Sequence, residues 1–367
     1  MKAAPGESVM ILSEARRILL CLRYGIGDVV MELPALETLR RAAPQAHLTA
    51  LGSRHALQIL EGDPRLDALA CVQDWGLTHW GDPGTGESVE RLEAWLQEQE
   101  FDLILDVSHA VIGVRDTLWA RERGTVLDTV MNSPDPMLKK GKSGIEALNA
   151  IIYNSWGLEV PADLLPRIWL GAEESRFRET FLHRSGLEEG LVVGLSPVAS
   201  SALKRWPETR LAALADRLVE EFEARLLLFC SPHDDSREVL GAMRHAGRVT
   251  VVLARHLRQT AALLTRCATF ICNDTGLMHV AAAVGTPVVA VFGPTSPRLY
   301  LPPLPSCRAA GAETPCPHRK NNAFGPALCM VENRCLVDEK ACIHHVELRE
   351  VWIKVRQTLA AAAAAIR

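Results

Sequence analysis

Short apolar runs alternate with longer amphipathic stretches along almost the whole chain. A short apolar run bounded by turn residues reads as a buried strand, and an apolar stripe recurring every three to four residues reads as a helix. In the first half this predicts strands at 17–22, 47–51, 68–72 and 102–107, and helices at about 30–41 and 145–156. Residues 161–166 open and close on proline and make a break. The charged stretch 171–190 reads as a helical bridge, after which a second series begins. It gives strands at 191–195, 225–229, 249–253, 269–272 and 287–292, with helical stretches at 211–222, 260–266 and 279–284. Such alternation is the pattern of βαβ units with parallel sheets. Two series predict an α/β chain of two facing Rossmann-like domains with a cleft between them, ligands lying at the carboxyl ends of the strands. The domain reading is 1–170, a bridge at 171–190, 191–347, and an alanine-rich C-terminal helix at 348–367.

A length of 367 residues suits two cores rather than one. The formal net charge of -4 lacks the basic footprint of a nucleic-acid partner. No run approaches the ~18 apolar residues of a membrane span, and Glu7, Glu14, Arg16 and Arg17 interrupt the place a signal peptide would need its apolar core. The expectation is a cytoplasmic chain, with room for a basic patch that meets the inner membrane peripherally. Ten cysteines in that compartment are thiols or metal ligands rather than disulfides. Cys21, Cys71, Cys230, Cys267 and Cys272 sit singly, several in apolar runs, as small buried hydrophobes do.

Three motifs carry chemistry. The first, Tyr24 to Val30 (YGIGDVV), follows a strand and opens a helix. Gly25 and Gly27 permit a tight turn and a close approach of ligand to backbone. The third glycine of a dinucleotide fingerprint is missing, which argues against an NAD-dependent oxidoreductase. Asp28 reads either as the helix N-cap, which its position favours, or as a carboxylate placed to take a proton from an acceptor hydroxyl. Asp106, closing the strand DLILDV beside His109, is the second candidate base. The next motif is the loop SPVASSALKRWPE, in which Ser200, Ser201 and Lys204 can hold phosphate oxygens, or merely face solvent. The most specific runs from Asn273 through Asp274, Thr275 and Gly276 to His279, then AAAVGTP and FGPT. A strand ending in Asn-Asp-Thr-Gly at what reads as an exposed helix start aims N–H groups and a hydroxyl at an anion. The plainer reading makes Asp274 an N-cap and His279 an ordinary helical histidine.

In this order the motifs resemble those of glycosyltransferase family 9, the heptosyltransferases, across roughly residues 17–295. The resemblance implies a GT-B fold, an ADP-heptose donor and inverting transfer to a hydroxyl without a catalytic metal. It implies Asp28 as general base and Lys204 on the donor phosphate, with Ser200 or Ser201 as the phosphate-binding hydroxyl. Asp274, Thr275, Gly276 and His279 then form the donor turn. The loop before Lys204 lacks the Thr-Thr or Gly-rich forms of the family. Rival readings are a catalytically silent sugar-nucleotide-binding module and a glycosyltransferase using another nucleotide-sugar.

The C-terminal part holds a cysteine cluster. Cys316, Cys329, Cys335 and Cys342 lie in a polar segment with His318, His344 and His345, and Cys307 stands apart. Their spacings match no zinc-ribbon pattern, yet four thiols in a segment without its own core suit a structural metal. Family members that glycosylate autotransporter proteins are similar in carrying an iron-binding cysteine loop here, which makes iron a candidate beside zinc. That similarity tilts the acceptor from a lipopolysaccharide core toward a protein hydroxyl. Oligomeric state is left open.

Overall fold

The computed structural model describes residues 12–22, 25–77, 85–106, 125–128, 143–155, 158, 165–231, 236–253, 256–311, 316–320 and 326–365. The chain divides into two compact units at Trp169/Leu170, with Gly144 counted in the second.

The first unit is built on five parallel strands: β1 (Arg17–Cys21), β2 (His47–Gly52), β3 (Ala68–Cys71), β4 (Leu103–Asp106) and β5 (Thr125–Asp128), in the order β3-β2-β1-β4-β5. Ile18, Leu19 and Cys21 of β1 are fully buried, as a central strand covered on both faces requires. Helix α1 (Ile26–Ala42) follows β1, and α3 (Gly144–Ser155) is tied to it by polar bonds. Asn149 donates to the Met31 carbonyl at 2.8 Å, and the Tyr153 hydroxyl donates to that of Pro34 at 2.8 Å. Helix α2 (Gly86–Gln99) is absent from the sequence reading. It is rich in Glu and Gln, and among its described side chains Leu92, Trp95 and Leu96 pack with Trp75 and Phe101 against the sheet.

The second unit carries six parallel strands: β6 (Val192–Ser196), β7 (Arg225–Cys230), β8 (Val249–Leu253), β9 (Thr269–Asn273), β10 (Val288–Val291) and β11 (Cys307–Ala310). Their order is β11-β10-β9-β6-β7-β8. Helix α4 (Ala172–Ser185) is clamped to α6 (Leu257–Leu264) by a 2.6 Å ion pair between Glu174 and the neighbouring Arg258. Helix α5 (Glu208–Phe222) and the last helix, α8 (Leu348–Ala365), enter the main core together. Val351, Trp352, Val355 and Leu359 of α8 belong to that core, and Arg217 of α5 lies 4.2 Å over the Trp352 ring.

Each sheet reverses its strand order once, between β1 and β4 in the first unit and between β6 and β9 in the second. At such a point the loops leaving two adjacent carboxyl ends run in opposite directions and open a crevice. All three sequence motifs begin at these points.

Candidate functional site

In the second unit the register pairs Ser196 with Cys272 and Val291 with Asn273. The loops after β6, β9 and β10 therefore leave the sheet side by side. The β6 loop carries Ser200, which is exposed, and Ser201, whose hydroxyl caps a 3-10 turn over Ala202–Lys204 by accepting from Leu203 N–H at 3.3 Å. That bond occupies Ser201 with its own backbone and leaves Ser200 as the outward hydroxyl. The turn directs Lys204 across the crevice, where its Nζ lies 2.7 Å from Asp274 Oδ2. Both side chains are largely withdrawn from water, at 12% and 8% exposure, so this ion pair is not the weak surface kind.

Helix α7 (Gly276–Ala283) starts directly after Asp274, and its N-cap residue is Thr275, with extended backbone at φ -150° and no side-chain cap bond. Two expectations change here. Asp274 is not the cap, because its carboxylate is spent on Lys204. Nor is the helix start an exposed one, since Asp274 is buried at 5% exposure and Thr275, Gly276 and Leu277 are only partly open. His279 lies buried in the first turn of α7. The result is a cationic lysine and the amides of a helix start converging on one crevice. That arrangement suits a diphosphate, whose charge meets both the ammonium and the positive end of the helix dipole.

Asn273, the last residue of β9, was not among the residues singled out for ligand chemistry. Its amide oxygen accepts from Trp206 N–H at 3.0 Å, and its amide nitrogen donates to the Pro197 carbonyl at 2.8 Å. Only an amide at a strand end, read together with the strand order, would have signalled this.

In the first unit Asp28 lies in the first turn of α1, partly exposed, and Gly25 is the N-cap. Asp28 is therefore inside the helix rather than its cap. Gly25 has φ -85°, which any residue adopts, so the tight-turn argument for it fails. The Asp28 carboxylate folds back toward it, so that a Cβ on Gly25 would sit 2.7 Å from Asp28 Oδ2 and would turn that carboxylate aside. Gly27 occupies the same first turn. Asp106 ends β4 in register with Cys21 on one side and Asp128 on the other, so its backbone flanks the strand that leads to Asp28. Tyr24 and His109 lie outside the described residues.

The cysteines separate into two kinds. Cys21, Cys71, Cys230, Cys267, Cys272 and Cys307 are all buried and in no disulfide. Burial pushes the Cys267 thiol up to about 12 and Cys307 to about 11, so neither ionises near neutrality. Cys316, Cys329, Cys335 and Cys342, by contrast, line one small pocket together with His318, Leu203 and Pro294. Burial and then the neighbouring sulfurs of Cys316 and Cys335 raise the Cys329 thiol. The pocket thus abuts the two loops that flank the donor turn. Arg319 donates to the Gly293 carbonyl at 2.6 Å, and a Cβ on Gly293 would meet Ile343 Cβ at 2.8 Å and the Leu203 carbonyl at 3.1 Å. Trp206 Nε1 donates to the Val346 carbonyl at 2.9 Å, which fixes the far end of the segment. Among the described residues, no three His, Cys, Asp or Glu side chains already stand where they would hold one ion.

Comparison with known proteins agrees with this geometry. The family model for glycosyltransferase family 9 (heptosyltransferase) matches residues 145–324, a span that contains the Lys204 loop and the donor turn but not Asp28. Lipopolysaccharide heptosyltransferase 2 of Salmonella typhimurium is 27% identical over 296 residues, covering 76% of this chain and 83% of that protein. A family 9 glycosyltransferase from Veillonella parvula superposes with a TM-score of 0.74 at 20% identity, over 94% of this chain and 98% of its own. The ADP-heptose LPS heptosyltransferase II of Escherichia coli does so with a TM-score of 0.68 at 21% identity, over 95% and 99%. These two share the pair of parallel Rossmann-like sheets of the GT-B class. The chain is a glycosyltransferase and belongs to glycosyltransferase family 9, the heptosyltransferase family.

Proposed function

We propose that this enzyme transfers heptose from ADP-heptose, with inversion at the anomeric carbon, to a hydroxyl of the lipopolysaccharide core. The observation that carries the reading is the Lys204–Asp274 pair beside the open helix start at Thr275–Gly276. A diphosphate entering that crevice is met by an ammonium group, a hydroxyl and free amides. As the anomeric C–O bond breaks, the electron pair leaves with ADP, and these same groups stabilise the growing charge. Asp28, carried on α1 at the strand-order reversal of the first unit, takes the proton of the acceptor hydroxyl. Lys204 and the helix start take the charge that a metal would otherwise take, so turnover is expected to survive chelators. Relatives named as lipopolysaccharide heptosyltransferases support a core-sugar acceptor rather than a protein hydroxyl. Among the described residues no helix is long and apolar enough to cross a membrane, and a lipid-linked acceptor would be met at the cytoplasmic face of the inner membrane.

The test is incubation with ADP-heptose and a heptose-deficient lipopolysaccharide, followed by mass spectrometry and NMR of the product. The expected result is a gain of one heptose with inverted anomeric configuration, unaffected by EDTA. Donor binding without transfer to any acceptor would favour the silent binding module. A retained configuration would overturn the mechanism, and preference for another nucleotide-sugar would overturn the donor.

We also read Cys316, Cys329, Cys335 and Cys342 as the ligands of a structural iron or zinc ion, on the ground that all four line a single pocket. Since no three donors are already at ion-holding spacing, binding would have to draw the sulfurs inward. No step of the transfer runs through this ion.

A further inference from the structure

The loop that carries Ser200, Ser201 and Lys204 begins at Pro197 and ends at Trp206, where α5 is about to start. Between those ends its backbone turns on itself, with Lys204 N–H bonded to the Ser201 carbonyl at 3.0 Å and Arg205 N–H to that of Ala202 at 3.1 Å, while the Lys204 side chain reaches out to Asp274 and the Trp206 indole to the Val346 carbonyl. Those side-chain contacts leave the backbone at the two ends of the turn to be fixed separately. One side chain from the neighbouring strand holds both of them. Asn273, at 3% exposure, accepts from the N–H of Trp206 and donates to the carbonyl of Pro197.

The chemistry of those two partners leaves no freedom in how the amide is turned. A backbone N–H can only donate and a proline carbonyl can only accept, so the side chain must present an oxygen to one and an NH₂ to the other. A carboxylate of the same size would keep the bond to Trp206 and set a second acceptor against Pro197. An alanine would lose both bonds and leave two buried backbone groups unpaired. Asn273 also immediately precedes Asp274, the partner of Lys204. The two consecutive residues therefore fix the same loop twice, the first at its ends and the second at the tip of its lysine.

We propose that Asn273 is a positioning residue of the donor site, which closes the loop of residues 197–206 so that Lys204 is held over the start of α7. It makes no contact with donor in this role and acts through the loop. The inference rests on the reading of Lys204 as the diphosphate contact.

The test measures ADP binding by calorimetry for the full-length protein, Asn273→Ala, Lys204→Met and the double variant, with hydrogen exchange followed across residues 197–206. Asn273→Ala is expected to weaken ADP binding roughly tenfold to a hundredfold, the worth of two buried hydrogen bonds. It should speed exchange at the loop amides while leaving the sheet amides protected. In the Lys204→Met background the same substitution should change ADP affinity less than about twofold, because the group being positioned is gone. KM for ADP-heptose should rise more than kcat falls. If Asn273→Ala does not accumulate as folded protein, Asn273→Asp, which keeps size and the Trp206 bond, carries the same comparison. Unchanged affinity in a folded variant, or losses that simply multiply with Lys204→Met, would overturn the role of Asn273. Failure of the unmodified protein to bind ADP would instead overturn the donor-site reading on which it rests.

Discussion

Removing Asp274 makes a quantitative test of the donor crevice. Its carboxylate stands 2.7 Å from the Lys204 ammonium, and both side chains are about nine-tenths shielded. At an effective dielectric constant of about 20 their attraction is ~6 kcal/mol, much of it offset by the cost of withdrawing two charges from water. The loss on deleting one partner is larger than the net worth of the pair, because the other charge is left shielded and alone. For Asp274→Asn this predicts a cost of about 3 kcal/mol. For a unit of this size that corresponds to a fall of roughly 10 °C in its thermal transition. Lys204→Met/Asp274→Asn, with neither charge, should be more stable than Asp274→Asn alone. Saturating ADP should raise the melting temperature of Asp274→Asn by more than that of the unmodified protein, since the diphosphate replaces the missing counter-charge. Differential scanning calorimetry of the four proteins, with and without ADP, reads all of this. Additivity of the two single substitutions to within about 0.5 kcal/mol would refute the reasoning, because it would show the charges to be independently solvated.

Asp28→Asn should lower turnover roughly 10²–10⁴-fold while donor affinity and melting temperature stay near normal, since Asp28 is not the cap of α1. Asp106→Asn made in parallel decides between the two carboxylates, and loss of turnover in that variant alone would transfer the role to Asp106. Purified protein should carry close to one iron or zinc per chain by elemental mass spectrometry, lost together with several degrees of melting temperature in Cys329→Ser. Metal-free protein from a reducing preparation would remove the staple. The hydrogen bond from Arg258 holds the Glu174 carboxyl down from 4.5 to about 2. A depressed carboxyl contributes its stability above the unfolded value and loses it as pH falls through the folded one. Glu174→Gln should therefore flatten the stability profile between pH 4.5 and about 2, and an unchanged acid limb would show the pair to be screened.

What the sequence discloses of this enzyme follows the range over which its signals act. Strands such as β1 and β9 are legible because their apolar residues are contiguous, and the donor turn because Asn273 to Gly276 crowd four special residues at one strand end. Helix α2 escapes because its apolar stripe, Val89, Leu92, Trp95 and Leu96, is short and set among glutamates and glutamines. Strand β11 escapes because it is a four-residue edge strand that includes Arg308. The Lys204–Asp274 pair and the Asn273 tether are invisible for a different reason. Their partners are far apart in the chain and meet only because β9 returns to lie beside β6. The cysteines are conspicuous as a cluster, whereas their convergence beside Leu203 and Pro294 depends on where the segment folds back.

Gly293 has a consequence for how such enzymes can diversify. With no side chain it lets the Leu203 carbonyl and Ile343 close in from two directions on the loop after β10, while Arg319 grips its carbonyl. Any larger residue there would need both neighbours to retreat at once, so a change in the lysine loop or at the root of the cysteine segment has to be matched by the other. A chimera that imports the cysteine segment from a relative should graft cleanly only if the junctions lie between Arg319 and Ile343, leaving both grips native. Grafts cut outside those residues would separate a lock from its key, and donor affinity would be lost along with the fit.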